Sequence, residues 1–218
     1  MTSTWIFTPS GAAVHRAEKV AVVADVHLGY EWARAAGGDQ VPAHSLRETV
    51  DALGRLIERE PIRRLIVAGD LVETPRPCVR TSKDVRALEN WLRGRGIDLI
   101  ALQGNHDPPR RPPGPETIDV DGWRIGHGHR PIEGPKIMFG HYHPAFRHGG
   151  INTPCFLVGP DTIVLPAFSP NAAGLNIATA NISAPFRGRG LRCIVATGMG
   201  VLDFGRVEDL AERLGREL

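Results

Sequence analysis

The chain has 218 residues, of which 42% are hydrophobic and 23% are charged, and its formal net charge is +2. This length and composition predict a single domain over residues 1–218 with a substantial core, and they exclude a protein that binds polyanions through bulk charge. The first residues lack the basic and long apolar regions typical of a signal peptide, no apolar stretch is long enough to span a bilayer, and the three cysteines include no C-x-x-C pair. We therefore expect a cytoplasmic protein without membrane contact, disulfide framework or zinc–thiolate site.

The N-terminal half alternates strand-like and helix-like segments. Apolar and β-branched runs predict strands over residues 4–7, 12–15, 19–24, 64–68 and 98–102. One helix is expected to begin at Ser45, where S-L-R-E forms a capping box, and to end before Pro61, and a second is expected over residues 82–93. The Gly-rich residues 29–42 predict a loop between the third strand and the first helix. This order of elements argues for a parallel half-sheet with right-handed crossovers.

The C-terminal half is composed mainly of short strand-like segments. Residues 108–115 are rich in proline and arginine, which excludes regular structure there. Strands are then predicted over residues 117–120, 123–125, 136–139, 156–158, 162–165, 191–196 and 201–204. Residues 207–218 predict a helix that covers an outer face. We therefore expect an α/β fold, a four-layer α/β/β/α sandwich of two mixed sheets flanked by helices.

Five short clusters of Asp, Asn and His each follow a strand-like run. They are Asp25-Val26-His27, Gly69-Asp70-Leu71-Val72-Glu73, Gly104-Asn105-His106-Asp107, Gly126-His127-Gly128-His129 and Gly140-His141-Tyr142-His143. Any one of them alone is more typical of a solvated turn or a helix start. Because the carboxyl ends of parallel strands meet at one edge of a sheet, the five together predict a single crevice. Mixed imidazole, carboxylate and amide donors suit a hard divalent cation, so we expect a two-metal hydrolytic centre there.

The order D-x-H, G-D-x-x-D/E, G-N-H-D/E, H-G-H and G-H-x-H resembles the signature of the calcineurin-like metallophosphoesterases. A second resemblance, to the small bacterial DNA-ligase-associated and archaeal single-domain phosphoesterases, rests on Asp25-Val26-His27-Leu28-Gly29, Leu165-Pro166-Ala167-Phe168 and Gly174-Leu175. The resemblance implies that one metal is held by Asp25, His27 and His143, and the other by Asn105, His127 and His141, with Asp70 bridging both. It further implies that His106 is a catalytic histidine that is not a ligand, with Asp107 accepting its other ring N–H. Glu73 stands where many relatives have Asp, and we expect it to lie outside the ligand set.

The resemblance also implies the chemistry. Two divalent cations about 3.5 Å apart would hold a bridging hydroxide that attacks phosphorus, while His106 stabilises the leaving oxygen. Mn²⁺ is the first expectation, with Fe, Zn, Ni and Mg as alternatives. The expected activity is phosphoester hydrolysis, on diesters rather than monoesters. The alternatives are a nuclease acting on DNA or RNA and, outside the enzymes, a metallophosphoesterase-like scaffold that binds proteins.

Several residues outside the clusters are open to two readings. Arg110 and Arg111 could bind a nucleic-acid backbone or simply be solvated, and Tyr30 and Trp32 could stack on a base or pack in a loop. Arg130 could reach a phosphate or be a solvated arginine at the rim, and His129 could support a ligand or be a structural histidine. Two loops, residues 37–42 and 168–176, are candidates for the rim of the substrate site. Nucleotide or nucleic-acid partners and a homo-oligomer both stay open.

Overall fold

Two β-sheets pack face to face in the computed structural model, which describes residues 4–109, 114–177 and 190–210. The first sheet has five strands in the order β1 (Trp5–Phe7), β2 (Ala13–His15), β3 (Val20–Val23), β4 (Arg64–Val67) and β5 (Asp98–Ala101). The three strands β3, β4 and β5 are parallel, whereas β1, β2 and β3 pair antiparallel. The parallel half-sheet expected from the sequence is therefore present.

The second sheet is mixed and has nine strands within the described ranges. They are β6 (Thr117–Val120), β7 (Trp123–Gly126), β8 (Ile137–Phe139), β9 (Pro144–His148), β10 (Ile151–Val158), β11 (Thr162–Val164), β12 (Leu175–Asn176), β13 (Arg192–Ala196) and β14 (Val201–Arg206). The main path runs β12-β9-β10-β11-β8-β7-β6, and β13 pairs with both β10 and β14. The strand β8 is parallel to both of its neighbours, β7 and β11.

Three layers of apolar side chains hold the sheets and helices together. On β3, Val20 and Val22 face the second sheet, whereas Ala21 and Val23 face the helices. This is why the strand is an unbroken apolar run, since it is buried on both faces. The third layer lies on the outer face of the second sheet, where Val207 and Leu210 pack in the short helical stretch 207–210. The four-layer architecture predicted from the sequence is confirmed, although the rest of the expected C-terminal helix lies outside the described residues.

The helices of the N-terminal half are α1 (Tyr30–Ala36), α2 (Ser45–Arg59) and α3 (Val79–Arg93), and side chains of α2 and α3 pack against the first sheet. The prediction of a loop over residues 29–42 is wrong, because this segment contains the helix α1. Trp32 ties this short helix to α3, since its Nε1 donates to Asp84 at 2.7 Å and the Arg80 guanidinium lies 4.8 Å above its ring. No helix of the described chain is both long and apolar enough to cross a bilayer.

Two further details differ from the prediction. The helix α2 begins at Ser45 itself, without a side-chain cap, and the Ser45 hydroxyl accepts instead from the N–H of Gly29 at 3.2 Å. The expected capping box is therefore wrong. The strand β9 and the first half of β10 were also not expected. Their hairpin turn is Gly149-Gly150, with φ of 55° and 80°, and such a two-glycine turn favours the positive φ angles that a tight hairpin needs.

Candidate metal centre

The five polar clusters meet at one edge of the two sheets. Asp25, Asp70 and Asn105 follow β3, β4 and β5, whereas His127 and His141 follow β7 and β8. Because these strands are parallel within each sheet, their carboxyl ends lie side by side. Backbone hydrogen bonds join the loops, from Asp25 N to the Gly69 carbonyl at 3.2 Å and from Gly140 N to the His127 carbonyl at 3.0 Å. The structure thus forms the single crevice that the sequence predicts.

Two buried carboxylates occupy the middle of this crevice. The Nε2 atom of His127 lies 3.1 Å from Oδ1 of Asp25 and 3.2 Å from Oδ2 of Asp70. His143 approaches from the other side, with Nε2 at 3.3 Å from the same Asp25 oxygen. The second oxygen of Asp25 accepts the backbone N–H of His141 at 2.8 Å, and Oδ1 of Asp70 accepts that of His106 at 2.8 Å. Both carboxylates are therefore fixed in orientation by the backbone of neighbouring loops.

Among the residues that the structure describes, three sets of donor atoms lie close enough together to hold a cation, with the atoms of each set within 4.8 Å of one another. The sets are Asp25, His27 and His143; Asp70, His127 and His141; and His27, Glu73 and His106. The first two correspond to the two predicted ligand sets, with Asp70 placed beside the second. Asn105 is exposed on the loop that also carries His106. Glu73, which we expected outside the ligand set, has its carboxylate 3.0 Å from Nδ1 of His27.

His27 shows that these residues fit a cation. Both of its ring nitrogens are buried, and neither makes a hydrogen bond with a described residue, since the Glu73 contact lacks hydrogen-bond geometry. A buried nitrogen without a hydrogen-bond partner costs free energy, and a bound ion is one of the explanations for such an atom. Imidazole nitrogen next to carboxylate oxygen is also the donor combination that Mn²⁺ and Fe²⁺ accept.

Backbone conformation explains how the clusters point their side chains into one crevice. Five predicted ligands have left-handed backbone conformations, with φ between 47° and 70°: Asp25, His27, Asp70, His141 and His143. Among the other described non-glycine residues, only Lys19 and Asp121 have positive φ. This region is disfavoured for residues that carry a side chain, and such strain concentrates at functional sites.

Glycines precede four of the predicted ligands, Asp70, Asn105, His127 and His141, and a Cβ atom added at any of these glycines would lie less than 3.0 Å from a neighbouring atom. At Gly69, which has φ of 84°, a Cβ atom would lie 2.5 Å from the Cβ of His127. A Cβ at Gly104 would run into Asp70, and one at Gly140 would run into Ala24 and Asp25. The G-D, G-N and G-H pairs of the sequence are therefore packing requirements of the crevice.

His106 and Asp107 are both in the crevice, but not with the hydrogen bond that we expected between them. The Nδ1 atom of His106 lies 2.6 Å from the carbonyl oxygen of Glu73, and because a carbonyl can only accept, Nδ1 carries the proton. The buried Asp107 carboxylate accepts instead the backbone N–H groups of Val72 at 3.1 Å and Gly104 at 2.9 Å. The expected His106–Asp107 contact is wrong because the carboxylate turns back onto its own loop and fastens it to the Asp70 loop.

The electrostatics of the crevice favour positive charge at its centre. Burial alone would raise the pKa of Asp25, but hydrogen bonds from His127 and His143 outweigh it and hold the pKa well below its usual range. The pKa of Asp70 is lowered too, since the contacts of His127 outweigh its burial. Burial lowers the pKa of His127, but the two carboxylates overcome this and raise it to about 9. The pKa of His141 is lowered, first by burial and then by the His127 charge.

The remaining candidates surround this centre. His129 supports it, with Nδ1 3.0 Å from Nδ1 of His127. Arg130 pairs with the exposed Glu116 at 2.9 Å. The loop 168–176 borders the crevice, since Ser169 N donates to the Asp25 carbonyl at 3.1 Å, and together with His143 it lines a cavity of about 240 Å³. The contact of this loop with Asp25 is made by backbone groups, so it could not be predicted from the side chains in the sequence. Arg110 and Arg111 lie outside the described residues.

Comparison with known proteins agrees with this geometry. A family model described as calcineurin-like phosphoesterase matches residues 18–161. The DNA double-strand break repair protein Mre11 of Methanopyrus kandleri is 31% identical over 104 residues, which are 47% of this chain and 22% of that protein. The chain thus spans about a fifth of that relative. The crystal structure of the nuclease MPE of Pseudomonas putida superposes with a TM-score of 0.70 and 23% identity, over 92% of this chain and 94% of the other, and it shows the same fold.

Proposed function

The chain belongs to the calcineurin-like phosphoesterase family, and from that premise we propose that it hydrolyses phosphodiesters with two divalent cations held between its sheets. One observation carries the proposal. The Nε2 atom of His127 lies within 3.2 Å of both Asp25 and Asp70, so the two donor sets form one continuous site. A pair of cations in one crevice is the arrangement that phosphoester hydrolysis uses.

The predicted ligands divide between two cations in this proposal. Asp25, His27 and His143 would hold the first cation, Asn105, His127 and His141 would hold the second, and Asp70 would contribute to both. Mn²⁺ is the first choice, with Fe, Zn, Ni and Mg as alternatives. When bound, the cations lower the pKa of coordinated water and offset the negative charge of the phosphate.

His106 acts on the leaving group in this proposal. Its Nδ1–H donates to the Glu73 carbonyl, so Nε2 is the nitrogen that faces the reaction, and in the doubly protonated ring Nε2–H can give its proton to the departing oxygen. Asp107 acts indirectly, because its carboxylate accepts hydrogen bonds from two backbone N–H groups and thereby fixes the loop that carries His106. All the predicted ligand residues and His106 are present in the sequence, which argues against a scaffold that has lost its chemistry.

A nuclease is the second candidate. The names of two relatives favour it, one a DNA repair protein and the other a nuclease. Because a polynucleotide is a phosphodiester, a nuclease is consistent with the main proposal and specifies its substrate more closely. The low net charge of +2 means that any strand would be held by locally placed arginines.

The experiment compares three substrates with the Mn²⁺-loaded protein: bis-p-nitrophenyl phosphate, p-nitrophenyl phosphate and a labelled single-stranded oligonucleotide. We expect the diester to be hydrolysed faster than the monoester, and chelation to stop both reactions. The variant His143→Ala should lose bound metal and turnover together, whereas His44→Ala, outside the donor sets, should keep both. Unchanged metal content in His143→Ala would overturn the ligand assignment, and inactivity on all three substrates with every candidate metal would favour the scaffold.

A further inference from the structure

A cavity of about 400 Å³ opens beside the proposed reaction centre. It lies between α3 and the loops that carry Asp70 and His106. Val72, Asp107 and Pro108 line the end near the crevice, where Val72 N donates to the Asp107 carboxylate. Cavities of this size hold small ligands or single groups of larger ones.

The position of His106 places this cavity on the leaving-group side. Its ring is hydrogen-bonded to the Glu73 carbonyl, and the residues on either side of Glu73, Val72 and Thr74, both line the cavity. Asp107, the residue after His106, lines it as well. A group that departs from phosphorus beside His106 would therefore be next to the mouth of this cavity.

The charges in the cavity suit a phosphate. Arg76 and Arg86 line it and are exposed, and neither forms an ion pair with any residue of the described ranges. Other arginines, such as Arg16 and Arg192, are paired with carboxylates at 2.7 Å. Guanidinium groups that are free to form paired hydrogen bonds are suited to phosphate oxygens.

Two features limit what can enter. Glu89 also lines the cavity, one turn beyond Arg86 on α3, and its negative charge would repel phosphate from that end. The volume of about 400 Å³ lies within the range of sites that hold a single ligand of nucleotide size. The charges and the volume therefore suit a single phosphate-bearing unit of a flexible strand near Arg76 and Arg86.

We infer that this cavity binds the leaving-group side of a single-stranded polynucleotide, with Arg76 and Arg86 contacting the phosphate next to the scissile one. The inference rests on the proposed phosphodiesterase activity and names the substrate class for it. Bis-p-nitrophenyl phosphate has no second phosphate, so it reaches the reaction centre without using these two arginines.

The first test uses Arg76→Gln and Arg86→Gln, with Lys83→Gln as the control, since Lys83 is exposed on the same helix and does not line the cavity. We expect each arginine variant to lose about three- to tenfold more kcat/KM on a single-stranded oligonucleotide than on bis-p-nitrophenyl phosphate. The logarithmic salt dependence on the oligonucleotide should flatten by about 0.7 for each arginine. Lys83→Gln should change neither quantity.

The second test needs no turnover. Cys78 lines the cavity and is half-buried, whereas Cys155 and Cys193 are buried, and hydrogen bonds with Thr81 lower the pKa of the Cys78 thiol. Iodoacetamide should therefore alkylate Cys78 first. In metal-free protein with chelator present, an oligonucleotide should slow this alkylation, measured by mass spectrometry, and should do so less in the Arg76→Gln/Arg86→Gln double variant.

The outcomes separate this inference from the proposed function. Equal losses on both substrates, an effect of Lys83→Gln as large as that of the arginine variants, or unprotected Cys78 would each overturn the inference. Stronger protection by duplex than by single strands would overturn the choice of a single strand. Failure of the wild-type protein to hydrolyse any diester would contradict the proposed function, and Cys78 protection would still decide whether the cavity binds a strand.

Discussion

Gly69 shows how one missing side chain shapes the crevice. Its φ of 84° is unfavourable for alanine, and an added Cβ would lie 2.5 Å from the Cβ of His127. We expect Gly69→Ala to lower the free energy of unfolding by about 2–4 kcal/mol and to reduce bound metal, because His127 must move. Urea denaturation and metal analysis measure the two effects.

The matched control is Gly54→Ala. Gly54 lies inside α2, and a Cβ there would meet no atom within 4 Å. Alanine at this position should stabilise the helix by about 0.5–1 kcal/mol and leave the metal content unchanged. If Gly69→Ala and Gly54→Ala had equal free energies of unfolding, a side chain at position 69 would not destabilise the fold through its contact with His127.

Asp107 provides a second test at the residue scale. Its carboxylate accepts two buried N–H groups, so Asp107→Ala should cost about 2–4 kcal/mol of unfolding free energy, and Asp107→Asn less, because an amide oxygen can still accept one of them. In Asp107→Asn, the acidic and basic limbs of the pH profile of kcat/KM should stay at the same pH as in the wild type. The reason is that the His106 ring is hydrogen-bonded to the Glu73 backbone carbonyl and not to Asp107. A shifted limb would mean that Asp107 acts on the ring directly.

At the scale of elements, α1 depends on a contact with α3. A seven-residue helix is too short to be stable alone. We expect Trp32→Phe to cost about 1 kcal/mol through loss of the N–H donated to Asp84, and Trp32→Ala about 3 kcal/mol. Hydrogen exchange should show faster amide exchange in α1 and unchanged exchange in β4. Uniform faster exchange over the whole chain would contradict this local role.

The end of α2 is tied to the first sheet by an ion pair. Arg16 donates to both oxygens of Glu60 at 2.7 Å, and this hydrogen bonding lowers the pKa of Glu60 in the folded state. A carboxyl group with a lowered pKa stabilises the fold above its ordinary value of 4.5 and loses that contribution as the pH falls through the folded-state value.

Glu60→Gln should therefore melt at a lower temperature than the wild type at pH 7, and the difference should shrink as the pH is lowered below 4.5. The effect should be small because the Arg16 side chain is 65% exposed and its charge is screened by solvent. Thermal denaturation from pH 3 to 7 measures it. A difference that persists at pH 3 would assign the stabilisation to packing of the side chain.

Over the whole molecule, the sequence predicts those features that depend on residues close together in the chain. The two-faced burial of β3 and the polar cluster that follows each parallel strand are local patterns, so the sheets and the crevice could be inferred. The features that could not be inferred join distant segments: Ser45 to Gly29, Trp32 to Asp84, and His106 to the Glu73 carbonyl. The hydrogen bond from His106 to a backbone carbonyl 33 residues away cannot be predicted from the sequence, because every residue has such a carbonyl.

The predicted ligands come from both sheets, so cation binding should stabilise the molecule as a whole. Asp25 and Asp70 follow strands of the first sheet, and His127 and His143 belong to loops of the second. A ligand that binds only the folded state at 100 times its Kd adds about 2.7 kcal/mol, which for this length raises Tm by about 5–10 °C. Mn²⁺ should produce such a shift in the wild type and in His44→Ala, chelator should reverse it, and His143→Ala should lose most of it. A shift of equal size in His143→Ala would mean that Mn²⁺ binds elsewhere on the folded chain, because the crevice has then lost a donor from the second sheet.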